Sequence, residues 1–146
     1  MNNLVLCGFK KSGKTTLGKE IAQKWGWAFI DTDDRISCNC RSFYVQFGPQ
    51  LFRQREKEVI LSLRDVKNTV IATGGGTFLD IANTTLLKKL GKIVYLHLEK
   101  EELRRRILIP PLPAFISHDD PYKSFEKMYE DRLFLYEQIA DVVIRI

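Results

Sequence analysis

The sequence predicts an α/β domain: a five-stranded parallel sheet covered by helices on both faces. Short apolar runs alternate with segments of helical period along the whole chain. A glycine-bearing phosphate-binding signature joins the first run to the first helical segment. Parallel strands need long crossovers, usually helices, and those helices cover both faces of the sheet.

Leu4 to Cys7 reads as a buried strand, and Thr15 to Trp25 as a helix stopped at Gly26. Ala28 to Ile30 is a second short strand. Ser42 to Gly48 and Gln50 to Val66 are helical. Thr69 to Ala72 is the third strand, followed by Gly74-Gly75-Gly76. Asp80 to Leu90 is a helix stopped at Gly91, and Lys92 to Leu98 is the fourth strand. Glu99 to about Leu108 is helical, Tyr122 to Ile139 is a long helix, and Asp141 to Ile146 is the fifth strand. Leu108 to Pro121 differs, because it holds Pro110, Pro111, Pro113 and Pro121. Those prolines exclude regular helix and central strand. A loop this long predicts a lid or binding loop over about 108–121.

The 146 residues fit one domain, 1–146, large enough to fold without a disulfide or metal staple. An apolar share of 45% and a charged share of 28% exclude disorder and coiled coil for the whole. No run of ~18 apolar residues predicts a membrane span. The start, Met1 to Cys7, lacks the basic region and cleavage site of a signal peptide. Cys7, Cys38 and Cys40 make an odd set, which suits reduced thiols in a cytoplasm. The net charge of +5 suits an anionic ligand without choosing among phosphate, carboxylate and nucleic acid.

Gly8-Phe9-Lys10-Lys11-Ser12-Gly13-Lys14-Thr15 fits G-x-x-x-x-G-K-[ST] completely. Gly8 and Gly13 let the backbone curl its N–H groups around a phosphate, and the following helix adds its positive end. Nucleotide contacts are therefore expected from Gly8, Lys11, Ser12, Gly13, Lys14, Thr15 and Thr16. Lys14 reaches the β/γ-phosphates and the Thr15 hydroxyl can ligate Mg²⁺.

Other candidates are charges in awkward places. Projected at about 100° per residue, Tyr122–Ile139 has a stripe of Phe125, Met128, Tyr129, Leu135, Tyr136 and Ile139, with Arg132 in its middle. A charge there must be paired or meet a ligand. On Gln50–Val66 the stripe is Phe52, Val59, Leu63 and Val66; Glu56 sits inside it and Arg53 at its edge. Their spacing lets Glu56 hold the Arg53 guanidinium. Asp31-Thr32-Asp33-Asp34 follows the second strand, at the strand end where such sheets bind ligands. In an extended segment Asp31 and Asp33 point the same way: one can help hold Mg²⁺, the other can accept a proton from a substrate hydroxyl. Asp34 is expected to cap the next helix. Gly74, Gly75 and Gly76 let backbone N–H groups approach a small ligand. Arg105, within Arg104-Arg105-Arg106, could reach adenine or phosphate. The basic residues lack the interleaved aromatics of a single-strand nucleic-acid platform.

The P-loop, Asp31-Thr32-Asp33, the F-R-x-x-E of Phe52–Glu56, the glycine triplet, and Arg132-x-x-x-Tyr136 followed by Ala140-Asp141 occur in order. The sequence resembles shikimate kinase, a P-loop kinase of the nucleoside-monophosphate-kinase fold. That resemblance implies a three-layer α/β/α fold with strand order 2-3-1-4-5. It implies transfer of the ATP γ-phosphate to the 3-hydroxyl of shikimate, with Mg²⁺, by a monomer without nucleic-acid or membrane partners. Lys14 would bind phosphates, and Thr15 and, through water, Asp31 would hold Mg²⁺. Asp33 would bind ring hydroxyls and accept the proton. Arg53 and Arg132 would clamp the carboxylate, and Gly75 and Gly76 would offer N–H groups. Two departures stand out. The lid of the family carries an arginine where this chain has Ile109-Pro110-Pro111-Leu112-Pro113, so either Arg105 or Arg106 substitutes, or turnover is slow, or catalysis is lost. Phe134 replaces a proline. A non-catalytic binding relative and a kinase for another small acid, such as gluconate, are the alternatives. Family members usually continue past Asp141–Ile146 through an adenine-contacting loop and a closing helix. Looser base recognition and an exposed fifth strand, open to a partner chain, are the corresponding expectations.

Overall fold

The computed structural model describes residues 2–146. Strand β1 (Asn3–Cys7) runs into a loop that opens α1 (Lys14–Trp25). Strand β2 (Ala28–Asp31) leads directly into a short α2 (Thr32–Ile36) and then α3 (Cys40–Ser62). Next come β3 (Thr69–Ala72), a 3-10 turn at Thr77–Leu79, α4 (Ile81–Leu90) and β4 (Lys92–His97). Helices α5 (Lys100–Ile107) and α6 (Pro121–Ile139) precede β5 (Val142–Arg145). All strand pairings are parallel, and the order across the sheet is β2-β3-β1-β4-β5, as expected.

Alternation along the strands sorts the core into two layers. Val5, Ile71, Ile93 and Tyr95 face one way, onto Phe125, Tyr136 and Ile139 of α6. Leu6, Val70 and Val94 face the other way, onto Ala22 of α1. Each large apolar side chain so buried contributes about 1.5–3 kcal/mol.

The two helices expected at 42–48 and 50–66 form one element, kinked where Gly48 takes a φ of 86° before Pro49. It stops at Ser62 rather than Val66. The apolar stripe runs on through a turn, in which the Val66 N–H donates to the Leu63 carbonyl at 3.1 Å. Residues 108–120 have no regular structure, as their prolines require. The segment is nonetheless fastened: Ile116 is buried, and Leu112 and Phe115 pack against the main core. Strand β5 lies at the sheet edge with all four residues exposed. Among the described residues, no helix is long and apolar enough to cross a membrane.

Candidate active site

Because all five strands run the same way, their carboxyl ends share one edge, and such sheets bind ligands there. Gly13 caps α1 with a φ of 101° and no side-chain cap, so the first N–H groups and positive end of α1 stay open toward the loop. Phe9 stacks on Tyr129 (centroids 5.1 Å apart) and meets Tyr136 edge-on (5.0 Å), pinning the loop to α6. Ser12 is buried and donates to the Phe9 carbonyl at 2.7 Å. Lys14 Nζ donates to the carbonyls of Gly8 (2.9 Å) and Phe9 (2.7 Å). Burial lowers the Lys14 pKa to about 8, against the opposing pull of Asp33. Lys11, at a φ of 64°, sends Nζ to the Arg106 carbonyl (3.1 Å), and Arg106 Nη1 donates back to the Lys11 carbonyl (3.2 Å).

Asp31 ends β2 and is itself the N-cap of α2: its Oδ1 accepts the Asp33 N–H at 3.0 Å. This corrects two expectations. Asp34 is not the cap but an exposed residue of the first turn, and Asp31 and Asp33 do not share an extended segment. The chain turns helical at Thr32 because Asp31 satisfies an otherwise orphaned donor of α2. The turn still delivers both carboxylates to one cleft. Asp31 Oδ2 accepts from Thr15 Oγ1 at 2.8 Å. These adjacent hard oxygens suit Mg²⁺, which uses one or two carboxylates together with phosphates and keeps several waters. Among the described residues no cluster of three or more His, Cys, Asp or Glu could hold a metal, so an ion here would take most of its ligands from nucleotide and water. The Asp33 carboxylate has no hydrogen bond or ion pair among the described residues. Burial pushes its pKa up and the Asp31 charge adds to the rise, while Lys14 and Lys10 oppose it.

Glu56, only 1% exposed, accepts from Arg53 Nη1 at 2.8 Å and from Thr77 Oγ1 at 2.9 Å. The pairing expected from sequence is therefore present, with Thr77 as an added partner. Arg132 is 8% exposed and has no carboxylate partner among the described residues. Its guanidinium lies 4.9 Å from the Phe115 ring centroid. Burial lowers its pKa, and the like charge of Arg53 adds to the drop. Tyr136 donates its hydroxyl to the Gly75 carbonyl. The glycine triplet makes room for these charges. A Cβ at Gly74 would lie 2.7 Å from Asp33 Oδ1, and one at Gly75 would lie 3.1 Å from Arg132 Nη1.

One cleft of about 410 Å³ gathers Lys11, Gly13, Lys14, Thr15 and Thr16 with Asp31 and Asp33. Arg53, Arg132 and Gly74 to Gly76 line its other side, and Ala114 and Phe115 of the irregular segment complete it. Gly8 and Ser12 stand behind its wall as loop formers. Arg105 does not reach the cleft: it pairs with Glu102, one turn earlier on the exposed face of α5, at 2.7 Å. Lys10, Cys40, Arg41 and Tyr44 line the cleft without having been singled out. Lys10 lay inside the phosphate signature, but its position there is free to vary. Arg41 and Tyr44 carry no sequence signal beyond their helix.

Fold and loop together place the chain among the P-loop kinases. A family model described as shikimate kinase matches residues 10–146. The shikimate kinase of Alkaliphilus oremlandii is 35% identical over 157 residues, covering 100% of this chain and 90% of that one. That of Hahella chejuensis is 37% identical over 147 residues, covering 97% and 76%. A solved structure of shikimate kinase from Acinetobacter baumannii in complex with shikimate superposes with a TM-score of 0.91 at 29% identity, covering 100% of this chain and 84% of that one. A gluconokinase from Sinorhizobium meliloti, at 15% identity and a TM-score of 0.58, shares the fold alone. The chain belongs to the shikimate kinase family, kinases whose co-substrate is ATP.

Proposed function

We propose that the chain transfers the ATP γ-phosphate to the 3-hydroxyl of shikimate, a step of aromatic amino-acid (chorismate) biosynthesis. The observation that carries this reading is Arg132, a buried guanidinium without a carboxylate partner among the described residues, in the same cleft as an Arg53 held by Glu56. Two such forks suit one substrate carboxylate. A neutral acceptor would leave the Arg132 charge buried and unpaired, which is costly.

In this reading Asp33 binds the ring hydroxyls and takes the reacting proton; its raised pKa suits a general base. The acceptor oxygen bonds to the γ-phosphorus, the bond to the ADP oxygen breaks, and the hydroxyl proton passes to Asp33. Lys14, with the loop N–H groups of Lys11 to Thr16, holds the phosphates. Thr15 and, through water, Asp31 would hold Mg²⁺, which would offset the phosphate charge. Gly74 to Gly76 form the wall against the acceptor. Residues 1–146 act as one kinase domain with 108–121 as its lid; the placement of Phe115 over Arg132 supports this. The enzyme works as a cytoplasmic monomer without nucleic-acid or membrane partners.

The test is ADP release by purified protein with ATP, Mg²⁺ and shikimate. Shikimate-dependent ADP is expected, and gluconate in its place should yield none. No ADP above the acceptor-free rate would sink the assignment.

A further inference from the structure

Phosphoryl transfer spreads negative charge over three oxygens between donor and acceptor, and kinases meet it with positioned cations. The segment from Leu108 to Pro121 contains no lysine and no arginine. What it brings to the cleft is Ala114 and Phe115. The compensating charge must come from elsewhere in the wall.

Six cationic residues line the cleft: Lys10, Lys11, Lys14, Arg41, Arg53 and Arg132. Five are engaged. Lys11 donates to the Arg106 carbonyl, and Lys14 to the carbonyls of Gly8 and Phe9. Arg41 Nε donates to the Leu112 carbonyl at 3.0 Å, and Arg53 is held by Glu56. Arg132 stacks on Phe115. Lys10 alone has an ammonium without a hydrogen bond or ion pair among the described residues.

Its location is as specific as its freedom. Lys10 sits at the tip of the P-loop, and its backbone nitrogen would lie 3.6 Å from a Cβ at Gly75, on the acceptor side. Lys10 thus lines the same cleft as the phosphate-facing Lys14 and the acceptor-facing Asp33. We infer that Lys10 is a catalytic cation that contacts the transferring phosphoryl group, supplying from the P-loop the charge that the 108–121 segment lacks. It moves no atom. The bonds made and broken are those given above, and Lys10 favours the charge distribution midway between them. The inference rests on the proposed kinase activity.

The experiment compares Lys10→Met and Lys10→Arg with the wild type in two measurements. In steady state, Lys10→Met should lower kcat about 10- to 100-fold while KM for shikimate and ATP change little. Lys10→Arg should recover most of the loss. In calorimetry, ADP with Mg²⁺ and shikimate is titrated with and without aluminium fluoride, which mimics the planar phosphoryl group. Lys10→Met should weaken only the fluoride-dependent tightening, by about tenfold. An unchanged kcat and unchanged fluoride tightening in Lys10→Met would overturn the inference. So would a loss confined to KM for shikimate, which would make Lys10 a carboxylate ligand. If the wild type releases no shikimate-dependent ADP, the fluoride titration is repeated without shikimate. Tightening lost in Lys10→Met then upholds Lys10 while the acceptor assignment falls, and tightening kept in Lys10→Met overturns Lys10 as well.

Discussion

The Arg53 guanidinium fills the space that a side chain would need at Gly76: a Cβ there would lie 2.7 Å from Nη1 and 2.9 Å from Cζ. Arg53 is not free to retreat, because Glu56 holds Nη1 at 2.8 Å and Thr77 holds Glu56. Gly76→Ala is therefore expected to dislodge the guanidinium. KM for shikimate should rise about tenfold or more, a loss of about 1.4 kcal/mol per tenfold, while KM for ATP stays within about twofold. Steady-state kinetics check this, and an equal rise in both constants would place the damage in the whole cleft.

Asp33 has the opposite problem, a carboxylate with no hydrogen-bond or ion-pair partner among the described residues. Asp33→Asn should lower kcat about 10²- to 10⁴-fold with ATP binding retained. It should also raise the unfolding temperature of the ligand-free protein. The folded-state pKa lies above the ordinary value, so the contribution of Asp33 to stability is complete below the unfolded pKa and fades as pH rises through the folded one. At pH 7 asparagine removes that deficit. A lower midpoint in calorimetry would contradict the claim that Asp33 is structurally unpaired.

Lys14 titrates at about 8 rather than 10.5. Phosphate binds the protonated ammonium, so nucleotide affinity should be level below pH 8. Above it, affinity should fall toward tenfold per pH unit, roughly one proton taken up per nucleotide bound. Titrations in buffers of different ionisation heat would reveal that uptake at pH 9 and none at pH 6.5. The same displacement makes the ligand-free fold more stable as pH rises from about 8 to 10.5, where the unfolded chain binds more protons.

Phe9 links the P-loop to α6 through Tyr129 and Tyr136. It is only 2% exposed, so Phe9→Ala should cost about 3–5 kcal/mol of stability. Urea unfolding measures this. A loss under about 1 kcal/mol would show that the loop is held by its own hydrogen bonds instead.

The parts of the site legible in sequence are those whose chemistry contradicts their surroundings. Arg132 and Glu56 announced themselves as charges on apolar stripes, and the P-loop by fixed spacing between a strand and a helix. Asp31 is legible by its carboxylate but not by its capping duty, which the sequence suggests for Asp34, because capping depends on where β2 ends and periodicity does not fix that residue. Thr77, Arg41 and Phe115 were invisible for a different reason. Each acquires its partner only when segments distant in sequence meet: Thr77 with Glu56, Arg41 with Leu112, Phe115 with Arg132. Arg105 illustrates the reverse, a plausible charge captured by its own helical neighbour Glu102.

The contact of Phe115 with Arg132 carries a consequence for binding order. One guanidinium serves both the acceptor pocket and the segment that roofs the cleft, and Arg41 ties that same roof to α3. A carboxylate that draws Arg132 toward itself must alter the platform on which Phe115 rests. Two ligands that share such an element do not bind independently. Linkage then requires the effect to be mutual: whatever factor shikimate applies to nucleotide affinity, nucleotide applies to shikimate affinity in equal measure. A nucleotide that rested on the same segment would make the cleft a cooperative device, with Arg132 as the residue shared by its two halves.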